Sequence, residues 1–120
     1  MFIAKGILKA ESQEKALLYL FTRKEGYAKA IADFYQCPVT PIVNQLNAME
    51  DDGIVVSKLV GRSRVYQLNT RAPLYSVLEE LLRSTLALYP KNIAQSLIMN
   101  RIKPRAKRKP IINVRERVND

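Results

Sequence analysis

The sequence contains no histidine, no tryptophan and a single cysteine, Cys37. An intramolecular disulfide, a Cys/His zinc site and Ser-His or Cys-His catalytic pairs are thereby excluded within one chain, and no metal or cofactor is expected. Long apolar runs are missing too. Lysines interrupt the N-terminal run Met1-Phe2-Ile3-Ala4-Lys5-Gly6-Ile7-Leu8-Lys9, and nowhere does the chain approach the roughly 18 apolar residues that span a bilayer. A cytoplasmic protein without a membrane partner is expected, and the lone Cys37 thiol fits a reducing compartment, with small-residue packing as its role. Acidic residues number 11 against 20 Lys+Arg. Their densest group, Glu50, Asp51 and Asp52, falls at an expected helix end with no converging partner, so an enzyme is not expected.

What is present is one small domain's worth of chain, 120 residues with a formal net charge of +9. The charge is unevenly placed: residues 1–72 contribute +3, residues 73–90 contribute −1 and residues 91–120 contribute +7. A localised basic block implies a polyanionic partner, because many phosphates are then neutralised at once. A solubilising tail with no partner is the alternative.

Over residues 11–22 the apolar Ala16, Leu17, Leu18, Leu20 and Phe21 fall on a helical stripe, with Glu11, Gln13, Glu14 and Lys15 opposite it or in the first turn. Arg23 and Lys24 follow, and Gly26 supplies the expected left-handed stop. Ala28, Ile31, Ala32 and Tyr35 then recur at i, i+3, i+4 and i+7, a second helix ended by Cys37-Pro38. A third helix is expected over residues 39–52. Pro41 is tolerated only in its first turn, Ile42, Leu46 and Met49 form its core face, and Gly53 closes it. The opposite face offers Thr40, Asn44, Gln45, Asn47 and Ala48, all short and neutral.

Two β-branched runs come next, Ile54-Val55-Val56-Ser57-Lys58-Leu59-Val60 and Arg64-Val65-Tyr66-Gln67-Leu68, separated by Gly61-Arg62-Ser63. That spacing predicts a hairpin with the glycine supplying a positive φ, and Lys58, Arg62, Arg64 and Arg71 place cations along it and beyond it.

The order helix, helix, tight turn, helix, basic hairpin resembles the winged helix-turn-helix of bacterial transcription regulators, especially the ArsR-like group. The resemblance rests on Ala30-Ile31-Ala32, on Leu46-Asn47-Ala48-Met49-Glu50-Asp51-Asp52-Gly53-Ile54-Val55 and on Gly61-Arg62-Ser63-Arg64-Val65-Tyr66-Gln67-Leu68-Asn69, and it covers about residues 11–89. Residues 69–86 also look like the segment that follows the wing in relatives fused to a nucleotidyltransferase domain. The chain departs from the family pattern where Pro38 replaces a polar residue at the start of the recognition helix, and where the metal-sensing cysteine pairs and histidines have no counterpart.

The fold class expected is α+β, mainly α: a winged helix-turn-helix with a three-helix core and a two-stranded β wing, plus additional C-terminal helices. Its expected parts are an N-terminal extension (1–10), the DNA-binding domain (11–72), C-terminal helices (73–102) and a basic flexible tail (103–120). In such a motif the third helix enters the major groove, where Val39, Thr40, Pro41, Asn44 and Gln45 would face DNA. Asn44 and Gln45 each present an amide to an adenine edge, Thr40 a hydroxyl to a base or phosphate, and Val39 or Pro41 a contact for a thymine methyl. A merely solvated helix face is the alternative. In the wing, Arg62 is the expected minor-groove residue, with Lys58, Ser63 and Arg64 along the flanking phosphates; a solvated turn arginine is the plainer reading.

Beyond the wing, residues 73–89 are expected to form a fourth helix with an apolar stripe wider than a small core needs, and residues 91–102 a fifth. The surplus points to dimerisation through Leu78, Leu81, Leu82, Leu86, Ile93 and Leu97, with simple core packing as the alternative. In the tail, Lys103, Arg105, Lys107, Arg108 and Lys109 are the expected phosphate contacts. The functional expectation is a homodimeric, sequence-specific regulator of the repressor kind that binds double-stranded DNA. The alternative is an interaction module docking a separately encoded nucleotidyltransferase or toxin, with non-specific nucleic-acid affinity from the tail. RNA binding ranks third, since the hairpin lacks paired exposed rings.

Overall fold

The structure, a computed structural model, describes residues 1–99. The elements run α1 (Glu11–Arg23), β1 (Glu25–Tyr27), α2 (Ala28–Tyr35), α3 (Val39–Asp51), β2 (Val55–Val60), β3 (Ser63–Leu68), α4 (Tyr75–Ala87) and α5 (Lys91–Met99). Among the described residues the fold is α+β and mainly helical, with one three-stranded antiparallel sheet ordered β1-β3-β2.

The apolar periodicity of α1 buries Ala16, Leu17, Leu18 and Leu20 completely or nearly so. Ile31 of α2, Ile42, Leu46 and Met49 of α3, Val55 of β2, Leu82 of α4 and Leu97 of α5 meet them in one cluster. Each of the larger of these side chains contributes about 1.5–3 kcal/mol through burial, and α1, which touches α2, α3, α4 and α5, is the axis on which they pack. The connection from α2 to α3 is three residues long: Gln36 takes a left-handed conformation (φ 56°), the Cys37 N–H reaches back to the Ala32 carbonyl (3.0 Å), and Pro38 precedes α3. Pro41 then sits in the first turn of α3, where the missing N–H costs nothing.

Several expectations change. The first helix stops at Lys24, which takes the positive φ (77°) and donates its N–H to the Leu20 carbonyl, and not at Gly26. Gly26 lies in β1 instead, paired with Tyr66, and a Cβ there would sit 2.6 Å from Cε1 of Tyr19. Glycine is required for close approach, and β1 turns the expected two-stranded wing into a three-stranded sheet. The hairpin turn is also shorter than expected: Ser63 pairs with Val60 and belongs to β3, leaving Gly61 (φ 64°) and Arg62 as the turn, the type II′ pattern that suits strand twist. The fourth helix spans Tyr75–Ala87 and not 73–89. Leu82 and Leu97, expected at a subunit contact, are fully buried in the monomer's own core.

Two polar groups fasten the periphery to α1. Glu14, expected on the polar side, is fully buried and accepts hydrogen bonds from the N–H groups of Ile3 (3.0 Å) and Ala4 (2.6 Å) and from the Tyr89 hydroxyl. It holds the N-terminal segment and the end of α4 to one point. Arg23 donates to the carbonyls of Leu97 (3.1 Å) and Ser96 (2.9 Å), late in α5, and lies 4.9 and 4.8 Å from the ring centres of Tyr19 and Phe34. Both acceptors are on α5, so this cation ties α5 to α1.

Candidate nucleic-acid interface

Burial of Ile42, Leu46 and Met49 points the opposite side of α3 outward. Val39, Thr40, Pro41, Asn44 and Ala48 are exposed there and Gln45 is half-buried. The exposed face of α3 carries no Lys or Arg, and its first residues are Thr, Pro and Val, so it offers hydrogen-bonding and apolar groups without cations. Asn47 is exposed but engaged: its Oδ1 accepts from the Tyr66 hydroxyl of β3 (3.1 Å).

The cations lie on the hairpin. Lys58, Arg62, Ser63 and Arg64 are all exposed, with Arg62 at the tip of the Gly61-Arg62 turn. Arg64 is not simply solvated, because its Nη1 donates to Ser57 Oγ (2.9 Å) and Ser57 Oγ donates to Glu50 Oε2 (2.6 Å). This chain joins β3, β2 and the end of α3. Glu50 also acts on Tyr66: burial first, and the Glu50 charge second, push the Tyr66 hydroxyl above its ordinary range, while Arg64 opposes them. The hairpin also exposes apolar side chains, Leu59 at 64% and Val60 at 47%, which no polyanion needs.

Below the hairpin, Asn69 closes the sheet by donating from Nδ2 to the Gly53 carbonyl (2.8 Å) and accepting the Arg71 N–H at Oδ1 (3.1 Å). Of the residues expected at a subunit contact, Leu78, Leu81, Leu86 and Ile93 are half-buried. The outward side of α4 exposes instead Val77 (62%), flanked by Leu74 (72%) and Leu88 (68%), a stripe that sequence reasoning included only within a broader one. Lys103, Arg105, Lys107, Arg108 and Lys109 lie outside the described residues. Among the described residues no group of three or more Cys, Asp and Glu converges on a metal position.

Sequence reasoning missed Glu50, Ser57 and Tyr66 as members of the site. The one available signal was Ser57 itself, the only small hydroxyl residue inside the apolar run of β2. No protein-family model, no curated protein and no solved structure matches the chain.

Proposed function

We propose that the chain is a sequence-specific, double-stranded-DNA-binding transcription regulator of the winged helix-turn-helix, ArsR-like kind, a cytoplasmic repressor acting as a homodimer. The observation that carries this reading is an exposed, cation-free face of α3 entered three residues after α2, flanked by a hairpin whose tip presents Arg62 and whose flank presents Lys58. A cation-free helix reads bases by hydrogen bonds, methyl contacts and groove shape, and it leaves phosphate neutralisation to its flanks. Thr40, Asn44 and Gln45 supply the polar groups, Val39 and Pro41 the apolar ones, and Arg62 the minor-groove cation.

Leu74, Val77, Leu81 and Leu88, at i, i+3, i+7 and i+14 along and just beyond α4, support the homodimer. Leu81 lies midway between Leu74 and Leu88, so a two-fold axis beside it sets Leu74 against Leu88 of the second copy. A two-fold interface needs such a self-complementary patch.

The deciding experiment is fluorescence anisotropy of the full chain, at several salt concentrations, on duplex from its own upstream region and on a scrambled duplex of equal length. Discrimination of about 10³-fold or more is the expected result. A second reading is favoured by Leu59 and Val60, whose exposure on the hairpin suits docking of a separately encoded protein. Equal, steeply salt-dependent binding to both duplexes would select it.

A further inference from the structure

The apolar contact between α3 and the sheet, made by Leu46, Met49 and Val55, holds the two together without fixing their angle, because apolar attraction is non-directional. Hydrogen bonds are directional. Three residues from three elements meet in a single chain of them at the edge of that contact: the Arg64 guanidinium donates to Ser57 Oγ (2.9 Å), which donates its only proton to Glu50 Oε2 (2.6 Å). Charges of opposite sign at the two ends strengthen both bonds, and Ser57 can complete the chain only by accepting from one side and donating to the other. Next to it, the Tyr66 hydroxyl donates to Asn47 Oδ1 (3.1 Å), a second tie from the sheet to α3. Tyr66 and Ser57 are paired across the β2–β3 ladder, so both ties originate at one rung.

We infer that the Glu50–Ser57–Arg64 chain is a strut that sets the position of the hairpin relative to α3, and that Ser57 is thereby a specificity-determining positioning residue that touches no nucleic acid. The inference rests on the DNA-binding reading above. A recognition helix and a wing tip that enter neighbouring grooves select sequence together only when their separation is fixed. An amide misplaced by about 1 Å no longer satisfies a base edge. The strut supplies that rigidity at the Ser57–Tyr66 rung. It also gives Arg64 a role within the protein, leaving Lys58 and Arg62 as the hairpin's free cations toward phosphate.

The test uses the full chain with Ser57→Thr and Ser57→Val, two β-branched side chains of equal shape, of which only the first keeps a hydroxyl. Two quantities are measured: amide hydrogen exchange of hairpin residues 58–64 without DNA, and the ratio of affinities for the upstream and scrambled duplexes. Ser57→Val is expected to speed hairpin exchange about tenfold and to lower the affinity ratio about tenfold, leaving scrambled-duplex affinity unchanged, with Ser57→Thr matching the parent in both. Identical exchange in the two variants overturns the strut. Faster exchange in Ser57→Val with an unchanged ratio overturns the specificity role. A parent protein that does not discriminate between the duplexes overturns the DNA-binding reading and the specificity role with it, and the exchange contrast then decides the strut alone.

Discussion

Glu14 shows how far a single side chain departs from what its position in a sequence suggests. In the first turn of a helix an acid reads as a partner for the helix dipole, whereas the Glu11 carboxyl is held below the usual range chiefly by the N-terminal ammonium that donates to it at 2.8 Å. Three residues later Glu14 is fully buried beneath three donors. Glu14→Ala strips all three of their acceptor and is expected to destabilise the fold by about 2–4 kcal/mol, read from urea unfolding; a loss under about 1 kcal/mol would mean that water replaces the carboxylate freely. Tyr89→Phe, which removes one donor only, is expected to cost about 1–2 kcal/mol. The same contact makes a pH prediction. Burial, and then the hydrogen bond to Glu14, raise the Tyr89 hydroxyl well above its ordinary 10.0. The unfolded chain therefore loses this proton first, so the contribution of Tyr89 is complete below pH 10 and shrinks as pH rises beyond it. Stability of the parent should fall more steeply above that point than stability of Tyr89→Phe; parallel curves would contradict the assignment.

Elements differ in how far local pattern alone specifies them. The helices α1, α2 and α3 were legible to within a residue, because each has an apolar face with a 3.6-residue period and a proline or a turn at its ends. The hairpin was legible from its β-branched runs, with the start of β2 at Val55 and the two-residue turn each one residue away from the expected bounds. What pattern could not disclose is β1, three residues long with one buried position, since it exists only because β3 lies beside it. Gly26 marks that contact: with Cβ absent, the strand lies against the Tyr19 ring. Gly26→Ala is accordingly expected to destabilise by about 1–3 kcal/mol, the usual consequence of overpacking, measured by thermal unfolding. A neutral result would mean that Tyr19 moves aside at no cost. The candidate site was legible in part for the same reason. The exposed positions Thr40, Asn44 and Arg62 follow from periodicity and turn chemistry, whereas the chain through Glu50, Ser57 and Arg64 depends on how α3 crosses the sheet. Within the proposed function, Asn44→Ala should relax choice at one base pair by about 1–3 kcal/mol and Arg62→Ala should weaken binding at flanking A·T-rich positions. Equal losses on upstream and scrambled duplexes for both variants would contradict base reading by α3.

At the scale of the whole molecule, the outward side of α4 decides between two accounts of the same leucines. Leu82 and Leu97 belong to the monomer, and replacing either with a charge would unfold it, so neither can report on association. Leu74 and Val77 are different, at 72% and 62% exposed, and a substitution there removes almost no contact within the chain. The double variant Leu74→Glu/Val77→Asp is expected to change monomer stability by no more than about 0.5–1 kcal/mol while placing charge within an apolar stripe that a second copy would have to cover. Sedimentation equilibrium should then give a dimer for the parent and a monomer for the variant. On DNA, two recognition helices one turn apart, roughly 34–36 Å, hold a palindrome jointly, and a monomer holds one half-site. The variant should therefore lose most of its affinity for a palindromic upstream duplex but retain affinity for a single half-site. A parent that sediments as a monomer at every concentration would remove the dimer from the proposal and leave the exposed stripe to a different partner, and a variant that remains dimeric would move the interface away from α4.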